Sequence, residues 1–237
     1  DTTESVDSLK TLFDAGETHA YTITITSNAA DASLSTASEF NLINSATSVA
    51  IDASSVTALA SSSISNIKTL LTAGNDTNQF SANSFASLAT VAVSDGVTLD
   101  VSDLVDSIGQ ANTATGKSTL AAGATVFSIN AGITINGGNE TNFTALLSDE
   151  NNGLVTISNQ NLTVDSGFTS VSTANLLGST TSGKVTADID TSETVIELAN
   201  LNADGGTNDL TIVIRGDDAT SATAAQLNTI NAATAVA

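Results

Sequence analysis

The chain has 237 residues, 25 acidic side chains against five basic ones for a formal net charge of −20, and no Pro, Cys, Met or Trp. The absence of Cys excludes disulfides, thiolate metal sites and cysteine nucleophiles, and the acidity argues against phosphate backbones or anionic lipid as partners. No apolar run approaches the roughly 18–20 residues that span a bilayer, yet 41% apolar content is too high for a disordered polar tail.

Taken in chain order, apolar residues at three- and four-residue spacing predict a first helix over Val6–Phe13, with Gly16 behind it as a left-handed C-terminal residue. Period-2 alternation then predicts a strand over Tyr21–Thr26, a helix over Ala37–Ala46 and a strand over Val49–Asp52. Helices over Ile64–Leu71, closed by Gly74, and over Phe80–Leu88 precede strands at Thr90–Val93 and Val97–Val101. A helix over Leu104–Ala111 leads to strands at Val126–Ile129 and Ile133–Ile135, a helix over Phe143–Leu147, and strands at Val155–Ile157 and Leu162–Val164. Gly178 marks a further helix end. Strands at Val185–Ile189, Val195–Leu198 and Leu210–Ile214 and a helix over Ala222–Ala233 complete the set.

Two of these regions match each other. Asp31–Ala50 (DASLSTASEFNLINSATSVA) and Asp218–Ala237 (DATSATAAQLNTINAATAVA) share 11 of 20 residues at a constant offset of 187, without a gap. Ile23 and Ile25 fall opposite Leu210 and Ile212 at the same offset. Such self-similarity identifies a repeat protein. Strand starts near residues 22, 49, 90, 126, 155, 185 and 210 suggest about seven strand–strand–helix units across residues 1–237. A doubly wound sheet would need longer helices and a glycine-rich phosphate loop after a strand, and neither is present. The expected fold is therefore a repeat solenoid: a β/α-solenoid, β-helix-like, of parallel strands with short flanking helices. Small Ala and Ser let its layers approach, missing Pro preserves the ladder donors, and Asn41, Asn44, Asn228 and Asn231 are candidates for side-chain ladders.

Little in the chain can carry catalysis. His19 is the only histidine, so a Ser–His–Asp triad would have to use it. It lies beside Tyr21 ahead of a strand and is read as a surface or turn residue. Asp217 and Asp218 next to Arg215 are the nearest approach to a glycan-cleaving constellation, but Asp218 recurs as Asp31 with no Arg beside it, which favours a turn and cap role. Asp95-Gly96, Asp204-Gly205-Gly206 and Asp217-Asp218 resemble calcium-bearing turns, yet no calcium-binding nonapeptide or EF-hand loop exists, so ordinary Asp/Gly turn chemistry is the favoured reading. The Thr22, Thr24, Thr26 row invites comparison with ice-binding solenoids, but the other strands do not continue it. Asn75, Asn139, Asn142 and Asn161 each open an N-x-S/T triplet, as chance produces in a chain of this composition. No catalytic, cofactor-binding or metal-ligating residue is assigned, and the chain is read as a non-enzyme without cofactor, calcium at an Asp/Gly turn being the alternative.

The segments from Thr223 (TAAQLNTINAATAV) and from Ala37 (ASEFNLINSATSV) resemble the A-A-E-L-N-x-L-D-A-x-T repeats of very large adhesin-like surface or secreted proteins of marine cyanobacteria and related bacteria. The match covers those two copies, about 40 residues. The resemblance implies one-step export, a cell-surface or matrix location, and no catalysis. Calcium dependence does not carry over, because the nonapeptides of that family are missing here. The chain starts at Asp1 with no visible signal peptide, as expected of a processed chain, a fragment or one exported by a signal elsewhere. Neither end has a polar cap, so part of a longer array, or a subunit stacking end to end, is expected. The expected function is a structural or adhesive shaft, surface layer or fibre outside the cell, with self-association or cell-surface polysaccharide as partner and neither nucleic acid nor membrane insertion. A carbohydrate-binding or carbohydrate-active solenoid such as a phage tail-fibre domain is the alternative, with ice binding a minor one.

Overall fold

A computed structural model describes residues 19–25, 35–113, 123–202 and 208–235. The helix expected at Val6–Phe13, the turn at Asp204-Gly205-Gly206, and Gly16, Thr26 and Asp31 lie outside them. Among the described residues the chain is α/β, with two parallel sheets and flanking helices. The described parts of Asp1–Asp95, Asp103–Ile129 and Asn152–Thr156 form one compact unit, and those of Gly96–Ser102, Asn130–Asn151 and Ile157–Ala237 form a second.

In the first unit the sheet runs β1 (Ala58–Ser62), β2 (Thr90–Val93), β4 (Val126–Ile129), β6 (Val155–Thr156). Every pair is parallel, for example Val91 with Phe127 and Phe127 with Val155. Helices α1 (Ala37–Ser45) and α2 (Ile64–Gly74) each begin with a Thr or Ser whose hydroxyl accepts an N–H of the first turn, Thr36 from Glu39 and Ser63 from Asn66. The core holds Phe40, Phe80, Phe85 and Phe127, all at most 1% exposed. Phe85 meets Phe40 edge-on at 5.7 Å between ring centroids and Phe80 at 5.1 Å. A Cβ on Gly74 would sit 2.9 Å from the Phe85 ring, so this glycine serves close packing.

In the second unit the order is β3 (Thr98–Asp100), β5 (Thr134–Asn139), β7 (Asn161–Ser166), β8 (Val185–Asp188), β9 (Asp209–Thr211), again all parallel. Its helices are α4 (Glu140–Asn151), α5 (Val171–Thr180), α6 (Val195–Leu198), α7 (Gly216–Ala219) and α8 (Ala224–Ala232). Helix α3 (Val101–Thr113) follows β3 directly. Leu99, Ile135, Phe143, Leu162, Leu177, Val185 and Leu198 are buried here.

Several expectations change. Val195–Leu198 is a helical turn and not a strand, because Thr194 and Glu197 form a reciprocal capping box that fixes the first turn. Phe80–Leu88 is not a helix: Asn83 and Phe85 hold φ of 69° and 60°, which turns the chain twice. Gly74 and Gly178 are not left-handed C-terminal residues, since Gly74 ends α2 with Asn75 as its cap and Gly178 lies inside α5. Among the described residues, 21–25 and Val49–Asp52 form no ladder and pair through the isolated bridges His19–Thr47, Thr24–Asp52 and Ile51–Phe80.

Candidate functional site

The residues with catalytic potential do not converge. His19 is half-buried and its ring lies 5.0 Å from that of Tyr21, while its main chain pairs with Ala46 and Ser48. Arg215 turns from Asp217 and Asp218, donating from Nε to the Thr191 carbonyl at 2.6 Å. Asp217 and Asp218 open the short α7, where their carbonyls accept from the Thr220 and Ser221 hydroxyls. Asp95 caps a helix: its Oδ2 accepts the Ile64 N–H at 2.8 Å. Thr24 faces Asp52 across its bridge, which breaks the threonine row. Among the triplet asparagines, Asn139 and Asn142 cap each other's N–H groups at the start of α4, and Asn161 accepts from Lys184 N. Among the described residues no group of three His, Cys, Asp or Glu is placed to hold a metal, and no helix is long and apolar enough to cross a membrane.

What does recur is a set of hydrogen bonds that tie helices α1, α2 and α5 to a later segment of chain. The first helical N–H of α1 donates to Ser62 Oγ at 2.9 Å, that of α2 to Asp95, and that of α5 to Glu193 Oε1 at 3.0 Å. These are N–H groups that a helix cannot satisfy internally. Asn41 of α1 donates its amide to the Asn66 carbonyl at 3.0 Å, and Asn175 of α5 donates to the Asn200 carbonyl at 2.8 Å, each partner 25 residues further on. Asn44 reaches Gln79 Oε1 at 2.8 Å. Of the four asparagines expected to form ladders, Asn41 and Asn44 instead make an amide-to-carbonyl and an amide-to-Gln contact. Threonines that follow α1, α3 and α5 bond back to earlier segments: Thr47 donates to the Tyr21 carbonyl at 2.9 Å, Thr125 to Leu88 at 2.7 Å and Thr181 to Gln160 at 2.6 Å. The sequence carried a signal for α5 that alternation missed. Ser170-Val-Ser-Thr-Ala-Asn-Leu-Leu repeats the spacing of Thr36-Ala-Ser-Glu-Phe-Asn-Leu-Ile.

Helix α8 carries part of the same pattern beside a groove. Thr223 and Gln226 form its capping box, and Thr234 Oγ1 contacts the carbonyls of Asn208 and Leu210 at 3.3 and 2.9 Å. Between α8 and β9 lies a groove of ≈ 540 Å³ bordered by Leu210, Ile212, Ile214, Leu227, Asn228 and Asn231. Leu227 is 41% exposed, and Asn228 and Asn231 are exposed with no side-chain hydrogen bond among the described residues.

Lys68 and Lys184 form ion pairs at the surface. Hydrogen bonds to Asp103 (2.6 Å) and then Asp106 (3.1 Å) hold the Lys68 ammonium above its ordinary pKa, and Lys184 pairs with Asp209. Burial pushes the Asp149 carboxyl up. At Glu140 burial also opposes ionisation, but hydrogen bonds from Ser170 and Thr173 outweigh it and hold the carboxyl below its usual value. Asp52, Asp76, Asp190 and Glu197 are lowered chiefly by N–H and hydroxyl or amide donors of their own turns and caps. The described carboxylates with lowered pKa are structural acceptors.

No protein-family model, curated protein or solved structure matches this chain.

Proposed function

We propose that this chain is a non-catalytic extracellular structural or adhesive protein, a β/α-solenoid whose strand–helix segments are each built to be covered by the next, and which self-associates. The observation that carries this reading is the recurrence of the same cross-segment bonds, from helix N–H to a later side chain and from helix Asn to a later carbonyl. Bonds of that kind spend the chain's polar groups on stacking one segment upon another, as in architectures where each unit touches only its neighbours. A net charge of −20 keeps such an assembly soluble. The resemblance of the two asparagine-bearing copies to surface repeat proteins, together with a Cys-free acidic composition, supports a location outside the cell.

Electron microscopy of the purified chain across a concentration series tests the reading. Elongated or laterally regular assemblies are expected. Isolated particles at every concentration, with no ordered contact between them, would sink it.

A further inference from the structure

We propose that Asn152 is a self-modifying position, where the side-chain amide is lost spontaneously to give aspartate and isoaspartate, while Asn136 is held inert by its strand. The inference stands apart from the self-association reading.

An asparagine loses its amide most readily where glycine follows, because a residue without a Cβ leaves its own nitrogen open to the preceding side chain. Two such pairs occur in the chain, Asn136-Gly137 and Asn152-Gly153. In the reaction the glycine main-chain nitrogen gives its proton to hydroxide and attacks the asparagine Cγ. The new C–N bond closes a five-membered succinimide, the Cγ–Nδ2 bond breaks, and the side-chain nitrogen leaves as ammonia after taking a proton from water. A second water then opens the ring at either carbonyl, giving aspartate or isoaspartate. The net change is amide plus water to carboxylate plus ammonium. Its rate depends on whether the main chain can turn so that nitrogen meets Cγ.

At Asn152 that turn is available. Helix α4 ends at Asn151, and Asn152 and Gly153 form an exposed turn ahead of β6. Asn152 makes no side-chain hydrogen bond among the described residues. Gly153 has φ of 71°, and a Cβ placed on it would meet nothing within 4 Å, so there is open space beside the nucleophile.

At Asn136 it is not. This residue lies half-buried in β5, which is flanked by β3 and β7, and it pairs in register with Asp100. The Gly137 N–H donates to Asp165 Oδ2 at 2.7 Å, which commits the nitrogen to a carboxylate and opposes loss of its proton. The Asp100 carboxylate also packs against Gly137, where a Cβ would fall 2.3 Å from its Oδ2. Reaction here requires β5 to leave its ladders first.

Conversion of Asn152 has a local consequence. It places a carboxylate just past the carbonyl end of α4, in sequence behind Asp149 and Glu150, where the helix dipole disfavours negative charge. Isoaspartate also adds one carbon to the main chain three residues before Val155, which pairs with Phe127 at the sheet edge.

The test incubates the full chain in mildly alkaline buffer, folded and in parallel in urea, and reads both positions by peptide mass spectrometry with fragmentation that separates isoaspartate from aspartate. In the folded chain residue 152 should convert at least about tenfold faster than residue 136, and in urea the two rates should converge. Both aspartate and isoaspartate should form at 152. Gly153→Ala should slow conversion on the order of tenfold, and Asn152→Gln, whose longer side chain closes a less favourable ring, should abolish it on the same timescale; circular dichroism confirms that each variant folds. If Gly153→Ala fails to fold, Asn152→Gln carries the comparison. A folded chain in which residue 152 stays intact while it converts in urea overturns the proposal. So does a residue 136 that keeps pace with 152 in the folded chain, or a product at 152 of aspartate alone, which would exclude the cyclic route.

Discussion

Helices α1 and α8 begin with the same reciprocal cap, Thr36 with Glu39 and Thr223 with Gln226, and place an asparagine five residues after the cap, Asn41 and Asn228. Their burial differs sharply. Ala37, Phe40 and Ile43 of α1 are all fully buried, whereas among the residues of α8 only Ile230 is buried and Leu227 is 41% exposed. Local sequence thus dictates where each helix starts and which way it faces. Whether that face is core or surface depends on the segment laid upon it, which for α1 is α2 and its strand.

The sharpest way to break this comparison is to truncate the equivalent side chains. Phe40→Ala should cost about 3–5 kcal/mol, and Leu227→Ala about 0.5 kcal/mol or less, in urea unfolding at concentrations that keep the chain monomeric. Similar losses at both sites would mean that α8 is covered in solution. Next in size are the threonines behind the helices. Thr47 is buried and bonded to the Tyr21 carbonyl, so Thr47→Val should cost about 1–3 kcal/mol. Thr234 makes the equivalent bond from a half-buried position, and Thr234→Val should cost clearly less in the same unfolding series.

The caps sharpen the comparison from the other side, because a cap is local. Thr36→Ala and Thr223→Ala should each cost about 1 kcal/mol, read as loss of helical circular dichroism and of unfolding free energy. A tenfold difference between their effects on the folding constant would show that covering strengthens the cap. The smallest effect concerns a junction inside the second unit, where Glu140 accepts from Ser170 N and Oγ at 3.1 and 2.6 Å. Glu140→Gln should lose up to about 1 kcal/mol at neutral pH. The folded-state pKa of this carboxyl is lowered, so its contribution is fully present above the unfolded value of about 4.3 and is lost as pH falls through the lower folded value. The stability difference between parent and variant should therefore close in acid, and a difference that persists there would assign the effect to packing.

The parallel strands were the most legible part of the fold. Thr90–Val93 and Val126–Ile129 are strands with the expected bounds because Val and Phe alternate there with smaller residues. Ala58–Ser62 was invisible: Ala-Leu-Ala-Ser-Ser carries one large apolar residue and pairs only because β2 lies beside it. Val195–Leu198 failed for the opposite reason, since four mostly apolar residues satisfy either period and the decision lay in Thr194, just outside them. Phe80–Leu88 has helical spacing, but Phe85 adopts a left-handed backbone to reach the face of Gly74, a tertiary demand that no local pattern announces. At the candidate site, the correspondence between Asp31–Ala50 and Asp218–Ala237 pointed to Asn41 and Asn228, and alternation pointed to the strands beside them. What Asn41 bonds depends on Asn66, 25 residues further along the chain.

The helix starts that borrow an acceptor from later residues also bear on synthesis. The N–H of Ala37 waits for Ser62, that of Ile64 for Asp95 and that of Val171 for Glu193, each 22 to 31 residues downstream. As the chain leaves the ribosome, these three helix starts are therefore completed only when another 22 to 31 residues have emerged. Until its partner emerges, each of these three starts keeps an unsatisfied N–H and is the part of its helix most open to fraying and to quality-control proteases.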